Sequence, residues 1–300
     1  MQFEVKKLGD WKKWETAGDY FSYRGEKIFY IEGGQVDAPV LVLIHGFPTA
    51  SWDWHKVWEP LCQNFRVLAF DMIGFGLSAK PAKYEYSIKD QADLLESLLQ
   101  LKGVTHYHLV AHDYGVTVAQ ELLARAAETN STATTRSIDS LVLLNGGLFP
   151  ETHKPVLIQK LLISPLGGLV ARLGSFARFK QNFDKICAHA LPDNELETFW
   201  ELLLLENGKA IMPKLIRYMV ERRRNRERWV GALQNTQTPI RLINGLEDPI
   251  SGAHMLVRYR ELIDDPDIHE LPGVGHYPQV EAPEAVYKAC QSYWQALEVI

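Results

Sequence analysis

The chain has 300 residues, 46% of them hydrophobic and 23% charged, which is enough apolar content for a large core and excludes a disordered polymer. A formal net charge of −5 gives no support to a nucleic-acid partner, and no stretch reaches the roughly 18 uninterrupted apolar residues of a spanning helix. Cys62, Cys187 and Cys290 are far apart and odd in number, so buried free thiols are expected and a zinc-type cluster is not.

The opening residues, Met1-Gln2-Phe3-Glu4-Val5-Lys6-Lys7, lack the apolar run of an export signal, and a cytoplasmic protein is expected. Residues 27–31 and 39–44 read as strands, then 51–61 as a helix. A strand over 66–70 and a helix over 87–101 follow. Residues 107–111 form the next strand, with a helical pattern over 116–125 behind it. Asn130-Ser131-Thr132 matches a glycosylation sequon but is read as a loop. Strands over 138–144, 239–243 and 268–271, with helices over 253–262 and 283–297, complete the pattern. Such alternation predicts an α/β fold, a mainly parallel sheet with helices on both faces. The uncut runs Val40-Leu41-Val42-Leu43-Ile44 and Leu141-Val142-Leu143-Leu144 suit strands covered on both sides.

The alternation breaks between about 149 and 228, where only helical patterns occur, at 156–162, 195–205 and 210–218. An insertion between two strands of an open sheet lies over the carboxyl ends of the strands, where such folds bind their ligands. The expected organisation is therefore a core of 1–148 and 229–300 with a helical cap over 149–228. Within the cap, Arg222-Arg223-Arg224-Asn225-Arg226-Glu227-Arg228 is read as a solvated helix face, with Glu221 and Glu227 pairing at helical spacing; anion binding is the alternative.

The chemistry centres on Ala111-His112-Asp113-Tyr114-Gly115, set between a strand and a helix. The pattern is that of a nucleophile elbow with aspartate where a serine would stand. An aspartate, with an ordinary pKa of about 3.9, is charged at neutral pH without help from a base. A helix N-terminus favours that charge by a further ~0.3–1 kcal/mol. The chemistry thereby shifts from acyl transfer towards displacement at saturated carbon. His45-Gly46-Phe47-Pro48 follows a strand where one oxyanion-hole N–H is supplied, and the residue after the nucleophile supplies the other. Phe47 and Tyr114 are the candidate donors. Asp248, in Asn244-Gly245-Leu246-Glu247-Asp248-Pro249, is placed to hold an imidazole, with Glu247 as its competitor. His276, in Gly273-Val274-Gly275-His276-Tyr277-Pro278, is the candidate base. His45 and His112 are assigned structural hydrogen bonds.

Together these residues resemble the α/β-hydrolase superfamily, in the aspartate-nucleophile branch of epoxide hydrolases and haloalkane dehalogenases. Phe70-Asp71-Met72-Ile73-Gly74-Phe75-Gly76-Leu77-Ser78 also looks like a loop of this branch. Three blocks are similar to the mesoderm-specific transcript proteins: Ala111 to Gly115, Asn145-Gly146-Gly147-Leu148-Phe149-Pro150-Glu151-Thr152-His153, and Arg228-Trp229-Val230-Gly231-Ala232-Leu233. The resemblance implies an eight-stranded, mostly parallel sheet with a helical cap. It also implies Asp113, Asp248 and His276 as catalytic residues, a small apolar organic substrate, no cofactor and no metal.

Dehalogenases of this branch carry a Trp after the nucleophile and often an Asn after the His-Gly pair. Here those positions are Tyr114 and Phe47. Trp52 or Trp54 would have to substitute, although packing is their commoner role. Epoxide hydrolases present two cap tyrosines, of which only Tyr218 has a counterpart. Epoxide opening through a covalent ester is the favoured expectation. A dehalogenase with atypical halide contacts and a non-catalytic binding protein on the same fold are the alternatives.

Overall fold

The computed structural model describes residues 10–128 and 136–300. The opening residues and the sequon at 130–132, both read above, lie outside them. Strands β1 (Asp19–Tyr23), β2 (Glu26–Gly33), β3 (Val40–Ile44), β4 (Arg66–Phe70), β5 (His106–His112), β6 (Ser137–Leu144), β7 (Ile240–Gly245) and β8 (Asp267–Leu271) form one sheet in the order β1-β2-β4-β3-β5-β6-β7-β8. Both pairings of β2 are antiparallel, and all others are parallel. The hairpin that adds β1 turns on Arg24 and Gly25, both at positive φ, as a tight two-residue turn requires.

Strand periodicity divides the core into two layers. Val42 and Ile44 of β3 pack with Leu68, Phe70, Leu109, Leu141 and Leu143 on one face. Leu41 and Leu43 pack with Val67, Ala69, Val110, Val142 and Leu144 on the other. Successive side chains of a strand point to opposite faces, so a continuous apolar run is what a doubly covered sheet needs. The three cysteines are free and buried. Among the described residues, no helix is long and apolar enough to cross a membrane.

Between β6 and β7 the described chain is helical: Leu157–Ile163, Gly167–Arg172, Phe176–Ile186, Asp193–Leu204, Met212–Leu215, Tyr218–Arg224 and Arg226–Asn235, with a 3-10 turn over Leu205–Ile211. The last of these helices spans the expected 228/229 boundary. It is tied to the core helix Tyr114–Glu128, because Arg228 Nε and Trp229 Nε1 both donate to Glu121 Oε2, at 2.8 and 2.7 Å. Those two residues open the third block noted in the sequence, and their job here is to anchor the insert.

β3 lies between β4 and β5, so the chain leaves it in one direction and returns on the other side. The carboxyl ends of β3 and β5 thus flank a point where the winding reverses, the usual ligand position in an open α/β sheet.

Candidate active site

Asp113 follows β5 directly, is 3% exposed and has φ of 45°. That left-handed backbone costs a non-glycine residue about 1–3 kcal/mol and persists only where neighbours fix it. Two glycines allow the neighbours close enough. A Cβ on Gly115 would lie 2.6 Å from the Ile44 carbonyl oxygen, and one on Gly46 would lie 2.9 Å from the Asp113 Cβ.

The Phe47 N–H donates to Asp113 Oδ2 at 3.0 Å, and the Tyr114 N–H also favours the carboxylate. Tyr277 Oη donates to the Phe47 carbonyl at 3.2 Å, which fixes the loop carrying the first donor. One carboxylate oxygen therefore sits where an oxyanion would be stabilised. Oδ1 is left facing His276, whose Nε2 is 3.7 Å away.

His276 lies beyond β8 in a loop pinned at several points. Its own N–H donates to the Ile186 carbonyl at 2.9 Å. Glu281 accepts from the N–H groups of Ala188, Gly275 and Tyr277. His276 Nδ1 donates to Asp248 Oδ2 at 2.8 Å. Asp248 is held in turn by Ser251 Oγ (2.7 Å), by Asn145 Nδ2 (3.0 Å) and by the Ile250 N–H (2.7 Å). Glu247, the competitor, is exposed. The structure thus brings Asp113, His276 and Asp248 together from the ends of β5, β8 and β7.

The charges follow from burial set against pairing. Burial disfavours the Asp248 carboxylate, but His276, Asn145 and Ser251 outweigh it and hold its pKa at about 2. Burial also disfavours the His276 imidazolium, yet Asp248, then Asp113 and Glu281, raise it to about 9. Asp113 behaves differently from the sequence expectation. Burial raises its pKa above the ordinary aspartate value, opposed by His276, the Phe47 N–H, Arg222 and the Tyr114 N–H. The carboxylate has lost most of its water, and the helix N-terminus alone does not set its charge.

His112 and His45 do the structural work assigned to them. His112 Nε2 donates to the His276 carbonyl at 2.7 Å, and burial holds its ring neutral with a pKa of about 3. His45 Nδ1 donates to the Gly46 carbonyl while its Nε2 accepts from the Met72 N–H. Asp71 bridges its own loop to the next one, accepting from the N–H groups of Ser51 and Leu77 at 2.6 Å each.

Tyr218 comes from the insert and packs on Tyr114, with ring centroids 4.7 Å apart. Its hydroxyl is buried without a hydrogen-bond partner, and burial and the nearby Asp113 charge push its pKa upward. Trp52 is placed differently. Its ring stacks on His55 at 4.2 Å and meets Trp14 edge-on at 5.7 Å, in the apolar layer opposite the one holding Tyr114 and Tyr218. That is a packing position.

The arginine-rich run corrects the expectation of a uniformly solvated face. A break at Asn225 separates Tyr218–Arg224 from Arg226–Asn235, so the arginines point in different directions. Arg226 pairs with Glu151, and Arg228 with Glu121 and Glu128. Glu221 accepts from the Ile88 N–H. Arg222 alone turns inward and is 3% exposed. Asn145 and Gly147, in the second of the three blocks noted in the sequence, hold Asp248 and make room for Arg222: a Cβ on Gly147 would lie 2.2 Å from Arg222 Nη1.

Residues 39–283 match the alpha/beta hydrolase fold family. The mouse (Mus musculus) mesoderm-specific transcript protein is 40% identical over 291 residues, covering 93% of this chain and 86% of that one. A cis-3-alkyl-4-alkyloxetan-2-one decarboxylase of Shewanella oneidensis is 27% identical, covering 94% and 89%. The crystal structure of a haloalkane dehalogenase from Bradyrhizobium elkani USDA94 aligns with a TM-score of 0.78 at 21% identity, over 94% of this chain and 98% of that one. The chain belongs to the α/β-hydrolase family, among the relatives of the mesoderm-specific transcript proteins.

Proposed function

We infer that the protein is a hydrolase whose Asp113 attacks a saturated carbon to form a covalent ester, with small epoxides as its substrates. The observation that carries this reading is the division of labour within one carboxylate. Oδ2 accepts from the Phe47 N–H, while Oδ1 faces His276 Nε2 at 3.7 Å. A serine-type mechanism has no use for a buried anion at this point.

In the first step Oδ1 attacks a ring carbon, the carbon–oxygen bond breaks, and the Tyr218 hydroxyl gives its proton to the departing oxygen. The His276 imidazolium then reprotonates Tyr218 through solvent. Esterification removes the Asp113 charge that helped to hold His276 protonated, so the imidazole is now neutral and can accept a proton from water. Hydroxide adds to the Asp113 carboxyl carbon, and the resulting oxyanion falls where the Phe47 and Tyr114 N–H groups point. Collapse releases the diol, and the carboxylate and imidazolium are restored. Asp248 orients His276 and stabilises its charged form. The helices between β6 and β7 serve as the cap that contributes Tyr218. Halide release has weaker support, because Phe47 and Tyr114 offer no side-chain N–H; the buried Trp52 Nε1 has no partner, but its ring is stacked on His55 and meets Trp14 edge-on.

A panel of terminal epoxides, haloalkanes, activated esters and an oxetan-2-one, the ring for which the Shewanella relative is named, tests the reading. Diol formation from epoxides is the expected result. Haloalkane turnover with epoxides untouched would replace it.

A further inference from the structure

The insert brings one more charged group to the site. Arg222 is 3% exposed, and its Nε and Nη1 have no hydrogen-bond partner. Its guanidinium carbon lies 5.5 Å from the centre of the Tyr218 ring, and its charge acts on both Asp113 and His153. Both ring nitrogens of His153 are likewise buried and unpartnered, as is the Tyr218 hydroxyl. Burial and the adjacent Arg222 keep the His153 ring neutral, with a pKa of about 2. A buried guanidinium with idle donors is costly, because the water it has lost is replaced by nothing. Arg222, Tyr218 and His153 thus bring unpaired polar groups to one side of the site, with Arg222 acting on both Asp113 and His153.

We propose that Arg222, with His153, forms a subsite for a carboxylate carried by the substrate, beside the Tyr218 hydroxyl that serves the departing oxygen. This deepens the assignment of Asp113 as nucleophile and rests on it. The charge at the site favours a monoanion over a phosphate dianion. Asp113 and Asp248 are balanced by the His276 imidazolium and Arg222 in the resting protein. A substrate monoanion adds one negative charge near the Asp113 carboxylate and a phosphate dianion adds two, so the repulsion to be overcome by Arg222 is smaller for the monoanion. Guanidinium–carboxylate pairing in a dry site is among the stronger polar contacts available. Gly147 gives the guanidinium its room against the backbone after β6.

Calorimetric titration of the intact protein with butyrate and with the neutral butyramide tests the subsite without requiring turnover. Saturable butyrate binding, at least tenfold tighter than butyramide, is expected. Arg222→Gln should weaken butyrate by roughly 10- to 100-fold, and its melting temperature should hold or rise, since an unpaired buried charge has been removed. Equal binding of acid and amide by the unaltered protein would overturn the proposal. So would an Arg222→Gln protein that melts much lower while keeping its butyrate affinity, the signature of a purely structural arginine. Because binding is the readout, failure of the epoxide assay leaves this result standing, and loss of the subsite leaves ester formation at Asp113 standing.

Discussion

Replacing Asp113 by asparagine should lower the pKa of His276. In the intact site that imidazolium faces two carboxylates: Asp248 at 2.8 Å from Nδ1 and Asp113 at 3.7 Å from Nε2. Unit charges 3.7 Å apart attract by roughly 4.5 kcal/mol at an effective dielectric near 20, an upper bound for the contribution of Asp113. Asp248, closer and hydrogen-bonded, supplies the larger part of the rise to about 9. A fall of roughly 1–2 pH units, about 1.4–2.7 kcal/mol, is therefore expected in the variant. Asparagine tolerates the left-handed backbone and keeps the shape of the side chain, so the fold is preserved. The assay is an NMR titration of the imidazole ring protons, with the His276 signal identified by its loss in His276→Gln. Intact mass checks that Asp113→Asn has not deamidated. An unchanged His276 pKa would refute the coupling, and with it the account of how ester formation prepares the histidine to act as a base.

His276→Gln should form the ester and then stall, since a general base is typically worth about 10²–10⁴-fold; intact-mass spectrometry should find the protein heavier by one substrate. A correctly folded variant that turns over at the wild-type rate would contradict this. Tyr218→Phe should slow ester formation about 10–1000-fold, or roughly 1.4–4 kcal/mol, with little change in melting temperature; unchanged epoxide turnover in single-turnover kinetics would remove Tyr218 from the chemistry. Stability should also depend on pH through His276. Its folded pKa is raised from 6.5 to about 9, so its contribution, on the order of 3 kcal/mol, is complete below pH 6.5 and is lost as pH rises through 9. Denaturant unfolding across that window should show the decline in the wild-type protein and a flatter curve in His276→Gln; equal slopes would contradict the raised pKa.

The sheet and the triad were legible because both rest on local signals. Uncut apolar runs mark doubly covered strands, and Asp113, Asp248 and His276 each follow a strand of the right order. Edge strand β1 was missed because its Asp19–Tyr23 residues are mostly exposed or half-buried and its turn lacks the usual Asn-Gly pair. The helix Trp11–Ala17 is short and was likewise not anticipated. Arg222 was hidden inside a run of charge, where nothing in the sequence separates the arginine that turns inward from those that pair at the surface. Asn145 was hidden for a related reason. Its role is to reach Asp248, 103 residues away, and such a contact leaves no periodic trace. Trp52 was a candidate for its indole N–H, and the sequence could not foresee that its ring stacks on His55.

The central claim is that Asp113 becomes an ester whose carbonyl is then attacked by water. A single turnover with enzyme in excess, run in heavy-oxygen water and followed by peptide mass spectrometry, tests it directly. The account predicts heavy oxygen in the peptide containing Asp113 and an unlabelled first-turnover product. Label found only in the product would mean that water attacks the substrate itself, and would contradict the covalent mechanism.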